Sequence, residues 1–237
     1  MTSFVLLPGA GADSWSWHRV VPLLEAAGHH VIAVDLPWGD PAAGLERHVD
    51  EIDRVVAESR RASGATDAIV LVALSMGAFP AAMACERLGA AMLVFVAAMI
   101  PRPGESAGEW FGATGAEAAM RAFAVTEGRD PDAPFDEGVV FLHDIPADVM
   151  AAGGAHPAGQ PSAAAFASVW EAEEWPAVPI RVVAGRNDRL FPLEFEQRLS
   201  RERLGIEPDI IDTGHLAALS RPDQLVPLLL RYAAELA

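Results

Sequence analysis

A chain of 237 residues, 51% of them apolar and 7% aromatic, is long enough for one α/β domain with a modest insertion, and a chain of this size buries roughly 70–75% of its unfolded surface. A net charge of −16 repels phosphate backbones, which excludes nucleic acid as a partner and slows the approach of strongly anionic substrates. The single cysteine, Cys85, excludes an intrachain disulfide framework, and no apolar run reaches transmembrane length, so no membrane partner is expected.

The chain opens at Met1-Thr2-Ser3 and runs directly into an apolar strand at 4–7. No signal-peptide pattern precedes it, so a cytoplasmic location is the expectation. Pro8-Gly9-Ala10-Gly11-Ala12 follows, a glycine-rich turn able to aim backbone N–H groups into a site. A helix is predicted over 17–27, a second strand over 31–35 and a long helix over 45–63. His29-His30 read as edge or loop residues. The apolar, β-branched run 68–73 predicts a buried strand, and the alanine-rich stretch 76–88 a helix directly after it. Pro80 sits awkwardly there, about a turn in, where its missing N–H begins to cost a bond. A fourth strand is predicted over 92–97.

From 101 to 179 the strand–helix alternation breaks. Trp110, Phe111, Phe123, Phe135, Phe141, Phe166 and Trp170 are scattered there among Ala, Gly, Pro and acidic residues. This interval reads as a cap of short helices over the C-terminal edge of the sheet, excluding water and supplying apolar walls. Trp110, Phe111 and Phe141 are its predicted substrate contacts, and Arg102 and His143 read as structural or solvated. The Pro/Gly-rich piece at 153–157 reads as mobile. Alternation then resumes with strands at 180–184 and 209–211 and helices at 192–204 and 222–235. The predicted fold is α/β: a mostly parallel six-stranded sheet with helices on both faces, its core formed by 1–100 and 180–237, and a small helical cap at 101–179.

Three residues carry the chemistry. Ser75 sits on the junction between the third strand and its helix, in Ala73-Leu74-Ser75-Met76-Gly77. Small residues two positions away on each side fit a nucleophile elbow, with Ala73 a methyl larger than the usual glycine. Asp188 follows the run 180–184 and His215 follows the run 209–211, so both fall on loops past strand ends, where ligands gather in parallel sheets. A serine hydroxyl is a poor nucleophile until a base takes its proton, a neutral imidazole can take it near pH 7, and a carboxylate fixes that imidazole's tautomer. The amides of Ala10 and Met76 are the predicted oxyanion donors. The chain has no Cys-x-x-Cys, no His-Glu-x-x-His and no phosphate loop, so neither a metal nor a cofactor is expected.

The order Ser75, Asp188, His215, together with Leu7-Pro8-Gly9-Ala10, Asp35-Leu36-Pro37-Trp38-Gly39, Gly185-Arg186-Asn187-Asp188 and Leu219-Ser220-Arg221-Pro222-Asp223, resembles the α/β-hydrolase superfamily over nearly the whole chain. More narrowly it resembles the small capped branch of plant methyl esterases, hydroxynitrile lyases and bacterial esterase relatives, with Phe141-Leu142-His143-Asp144 as a further shared piece. The resemblance implies a serine hydrolase acting on a small neutral ester or lactone through an acyl-enzyme. A ligand-binding receptor on the same scaffold, or a C–C hydrolase, lyase or perhydrolase using the same site, are the alternatives. The partner expected is a small-molecule ester, and a homodimer is compatible with the sequence. Two departures stand out. Pro8 replaces the family's histidine at the oxyanion turn. The lyases' threonine and lysine are replaced by Gly9 and Leu216, both placed at the substrate; Leu216 has no cation to hold cyanide, which favours hydrolysis.

Overall fold

Strands form where apolar residues run without interruption, because a parallel sheet buried on both faces needs side chains of that kind on both sides. The computed structural model describes residues 1–153 and 160–236. In chain order its core elements are β1 (Ser3–Leu7), α1 (Val21–Ala26), β2 (His30–Ala33), α2 (Leu45–Ser63), β3 (Ile69–Leu74), α3 (Ala78–Leu88) and β4 (Met92–Val96). Five short helices follow: α4 (Ala107–Thr114), α5 (Ala116–Thr126), α6 (Glu137–Val140), α7 (Ala147–Gly153) and α8 (Ala163–Ala167). The core then closes with β5 (Ile180–Gly185), α9 (Leu193–Leu204), β6 (Asp209–Ile211), α10 (Ala217–Ser220) and α11 (Pro222–Ala234). The Gly154, Ala155, His156 and Pro157 part of the 153–157 piece lies outside the described residues.

All six strands are parallel, in the order β2-β1-β3-β4-β5-β6. Alternation along each strand feeds two cores. Val5, Leu7, Leu71, Ala73, Leu93 and Phe95 face one side, against Ile52 of α2, Phe79 of α3 and Leu199 of α9. Phe4, Leu6, Val70, Val72 and Val94 face the other, against Leu24 of α1 and Leu225, Leu229 and Tyr232 of α11. The chain steps from β1 outward to β2 and then back across to β3. The loops leaving β1 and β3 therefore diverge, opening the crevice where open α/β sheets bind ligands.

Two expectations shift. The helix predicted over 17–27 splits into a 3-10 turn at Ser14–Trp17 and a separate α1. Asp13 caps the turn by accepting from the Trp15 amide, and Pro22 fits the first turn of α1, where its missing N–H would have no partner anyway. Pro80 costs nothing for the same reason: α3 begins at Ala78, after a 3-10 turn at Ser75–Gly77, so the proline lies in its first turn.

The segment between β4 and β5 is anchored at its two ends. Ser106 bridges Val169 antiparallel, and the amides of Gly104 and Trp170 donate to the carbonyls of Trp170 and Glu105. Ser106 and Glu109 form a reciprocal capping box that starts α4.

Candidate active site

β3 is buried along its whole length and delivers Ser75 at a forced turn. Ser75 has φ +52, a left-handed conformation that non-glycine residues seldom adopt and that costs on the order of 1–3 kcal/mol. Neighbouring contacts hold it there. The Ser75 carbonyl accepts from the Met99 amide at 3.1 Å. A Cβ on Gly77 would lie 2.5 Å from the Pro8 carbonyl oxygen, so only glycine lets the β1 loop come this close. A Cβ on Gly9 would lie 3.0 Å from that of Ser75, which shows how tightly the same loop is pressed against the serine. Ala73, in place of the usual glycine, is fully buried and belongs to the core on one face of the sheet.

Asp188 lies on the loop between β5 and α9 and is fully buried. Its Oδ1 accepts from the amides of Leu190 at 2.8 Å and Phe191 at 3.0 Å, and its Oδ2 accepts from His215 Nδ1 at 2.8 Å. Both oxygens are thus committed, and the proton on Nδ1 leaves Nε2 of His215 free to act as a base. The His215 ring is 2% exposed and lies against Phe191, 5.2 Å away edge-on, and Phe141, 5.3 Å away. The loops after β5 and β6 can meet because Gly185 has no side chain; a Cβ there would lie 2.7 Å from the Thr213 carbonyl oxygen.

Ser75 and His215 line one cavity of about 910 Å³. Among the described residues no hydrogen bond joins the two side chains directly, and His215 Nδ1 is the ring nitrogen bonded to Asp188. Ala10 and Met76 line the same cavity, and no backbone carbonyl among the described residues takes either amide. Gly9, Phe111, Phe141 and Leu216 also line it, alongside Phe135, Phe166 and Phe191. Among the described residues no arginine lines the cavity, and the chain contains no lysine.

Trp110 is a correction. It does not reach the cavity: it is fully buried in the core, its indole N–H donating to the Ile100 carbonyl at 2.9 Å and its ring packed against Phe191 and Phe195. The adjacent Phe111, 38% exposed, points to the cavity instead. Arg102 and His143 are not among the described residues that line the cavity.

Sequence reading missed Glu196, on the first turn of α9. It is fully buried, and neither carboxyl oxygen has a hydrogen-bond partner among the described residues. Burial, and then the negative charge of Asp188, push its carboxyl well above the usual range, favouring the protonated form. The folded protein therefore binds this proton more tightly than the unfolded chain. That contribution to stability is complete below the ordinary glutamate value of about 4.3 and is lost as pH rises through the raised folded value. Glu196→Gln stays neutral at every pH. Its melting temperature relative to wild type is expected to climb as pH rises from about 5 into the alkaline range, by roughly 3–5 °C for each tenfold tightening of proton binding. A difference that does not change with pH, measured by thermal melts across that range, would contradict a buried neutral acid.

Comparison with known proteins agrees with this architecture. The model of the "Alpha/beta hydrolase family" matches residues 4–228. Norfluorocurarine synthase 1 from Strychnos nux-vomica is 35% identical over 107 residues, 41% of this chain and 39% of that protein. The probable esterase PIR7A from Oryza sativa subsp. japonica is 36% identical over 110 residues, 44% of this chain and 42% of that protein. These matches span about two fifths of the relatives' length, and further similar proteins include a methylesterase and an alpha-hydroxynitrile lyase from Arabidopsis thaliana. The crystal structure of polyneuridine aldehyde esterase has the same fold, with a TM-score of 0.73 at 21% identity over 98% of this chain and 99% of that one. A match that runs from the first strand into the last helix leaves no other assignment: this chain belongs to the alpha/beta hydrolase family.

Proposed function

We propose that the protein is a serine hydrolase of carboxylic esters or lactones, working through an acyl-enzyme. The observation that carries this reading is the buried Asp188–His215 hydrogen bond beside a cavity whose wall also holds the strained Ser75. In the first half-reaction Ser75 Oγ attacks the ester carbonyl carbon while His215 Nε2 takes the hydroxyl proton. The amides of Ala10 and Met76 hold the oxyanion, and Asp188 stabilises the imidazolium. His215 then gives its proton to the departing alcohol. In the second half a water attacks the acyl carbon, His215 takes the water's proton, and Ser75 leaves with that proton to release the acid.

The cavity supports a neutral, apolar substrate. Its volume, about 910 Å³, lies near the upper end for drug-sized sites, so the size expected from sequence widens from small esters to bulky ones. Among the described residues, its acidic and basic lining groups are Asp13, Glu117, Glu137 and His215. Cyanohydrin cleavage is disfavoured, because Leu216 follows the histidine and no lysine exists elsewhere in the chain.

A neutral p-nitrophenyl ester of a branched or aryl acid is expected to be cleaved, and a matched ester with a free carboxylate on its acyl chain to show kcat/KM lower by about tenfold or more. Initial rates over such a paired panel test this. Equal rates for the two members would overturn the charge argument, and no turnover of any neutral ester would overturn the hydrolase reading.

A further inference from the structure

Asp144 lies between α6 and α7, 70 residues before the loop it touches. Its Oδ2 accepts from the Gly214 amide at 2.6 Å and from the Thr213 hydroxyl at 3.4 Å. Its Oδ1 is buried and has no hydrogen-bond partner among the described residues. Every hydrogen bond of this carboxylate therefore goes to the two residues that lead into His215. The fit around them is close. A Cβ on Gly214 would lie 2.6 Å from Asp144 Oδ1 and 2.8 Å from His143 Nε2. The neighbouring acid loop is tied to the same segment. Arg189, next to Asp188, donates through Nε to both Glu127 carboxylate oxygens at 3.0 and 3.3 Å and through an NH group to the Val139 carbonyl at 3.0 Å.

We propose that Asp144 is a positioning residue for the proposed hydrolysis: from the segment over the sheet it clamps the Thr213–Gly214 backbone and so aims the His215 imidazole at Ser75. This rests on the reading of Ser75, Asp188 and His215 as a working relay. The physical argument is directional. Asp188 holds the imidazole through Nδ1 and the Phe141 and Phe191 rings pack beside it, so the place of Nε2 follows any drift of the backbone that carries the ring. A charged acceptor on the preceding amide makes a strong bond and removes the drift. Misplacement of a base by about 1 Å costs on the order of 100-fold in rate.

Asp144→Ala is expected to lower kcat by about 10- to 100-fold with KM little changed, and to slow fluorophosphonate labelling in proportion. Amide hydrogen exchange at Gly214 should quicken by on the order of tenfold or more. Asp144→Asn keeps an oxygen that can accept from Gly214 and should restore most of kcat and of the exchange protection. Gly214→Ala breaks the same contact from the other side, so it should lower kcat similarly, and Gly214→Ala with Asp144→Ala should lose less than the product of the two. That second variant decides the matter should Asp144→Ala not fold. Wild-type kcat in both single variants, or an Asn variant as damaged as Ala, would overturn the proposal. A wild-type protein that neither hydrolyses esters nor labels at Ser75 would overturn the hydrolase reading instead, and the Gly214 exchange readout would still report whether the clamp exists.

Discussion

Ser75→Ala should leave a folded protein whose ester turnover has fallen on the order of 10⁴- to 10⁶-fold, by analogy with other serine triads. The size of the loss follows from what the hydroxyl does: without it no acyl-enzyme forms, and only the oxyanion donors and the cavity remain to favour attack by water. The fold should tolerate the change. Alanine is no larger than serine, it meets the same φ of +52, and Ser75 anchors its turn by its backbone carbonyl rather than its side chain. Far-ultraviolet circular dichroism and melting should match wild type while p-nitrophenyl ester cleavage disappears. Cleavage that persists near the wild-type rate would place the nucleophile elsewhere.

Asp188→Asn should cost about 10⁴-fold in kcat, the loss seen when the equivalent change is made in a serine protease. The geometry leaves asparagine no good orientation. With its amide nitrogen toward His215, two donors face each other, and the imidazole must move its proton to Nε2, the atom that has to accept from Ser75. With the nitrogen turned the other way, it meets the amides of Leu190 and Phe191, which are also donors. KM should change little, because Asp188 is fully buried and is not part of the cavity lining. Steady-state rates with an active-site titration would measure this, and a loss below tenfold would mean that His215 is oriented by something else. The same change removes the negative charge that helps hold the proton on Glu196.

The sheet could be read from sequence because each strand is a short run of apolar residues between glycines, prolines and polar turns. Val70, Val72, Val94 and Val183 mark buried strands whichever face they point to. Ser75, Asp188 and His215 stand out as candidates because Ser75 follows its strand at once and the other two lie on the loops just past theirs, and a parallel sheet brings those ends to one rim. What could not be read depends on contacts between distant residues. Trp110 and Phe111 are adjacent and both apolar, and the contacts that hold Trp110 inside, the Ile100 carbonyl and the Phe191 and Phe195 rings, come from elsewhere in the chain. Glu194 and Glu196 look alike in a helix rich in Glu and Arg, but one turn of α9 buries the second and leaves the first at the surface. Asp144 looks like any loop aspartate until the fold brings Gly214 to it across 70 residues. The break between the Ser14–Trp17 turn and α1 did have a local sign, Pro22, which suits the start of a helix better than its interior.

Peptide mass mapping after treatment with a fluorophosphonate bears most directly on whether three side chains, distant in sequence, act as one relay. A single adduct on the peptide carrying Ser75 is expected, formed rapidly by wild type and at least about a thousandfold more slowly by His215→Ala. An unmodified Ser75, or an adduct formed at the same rate without the imidazole, would contradict it.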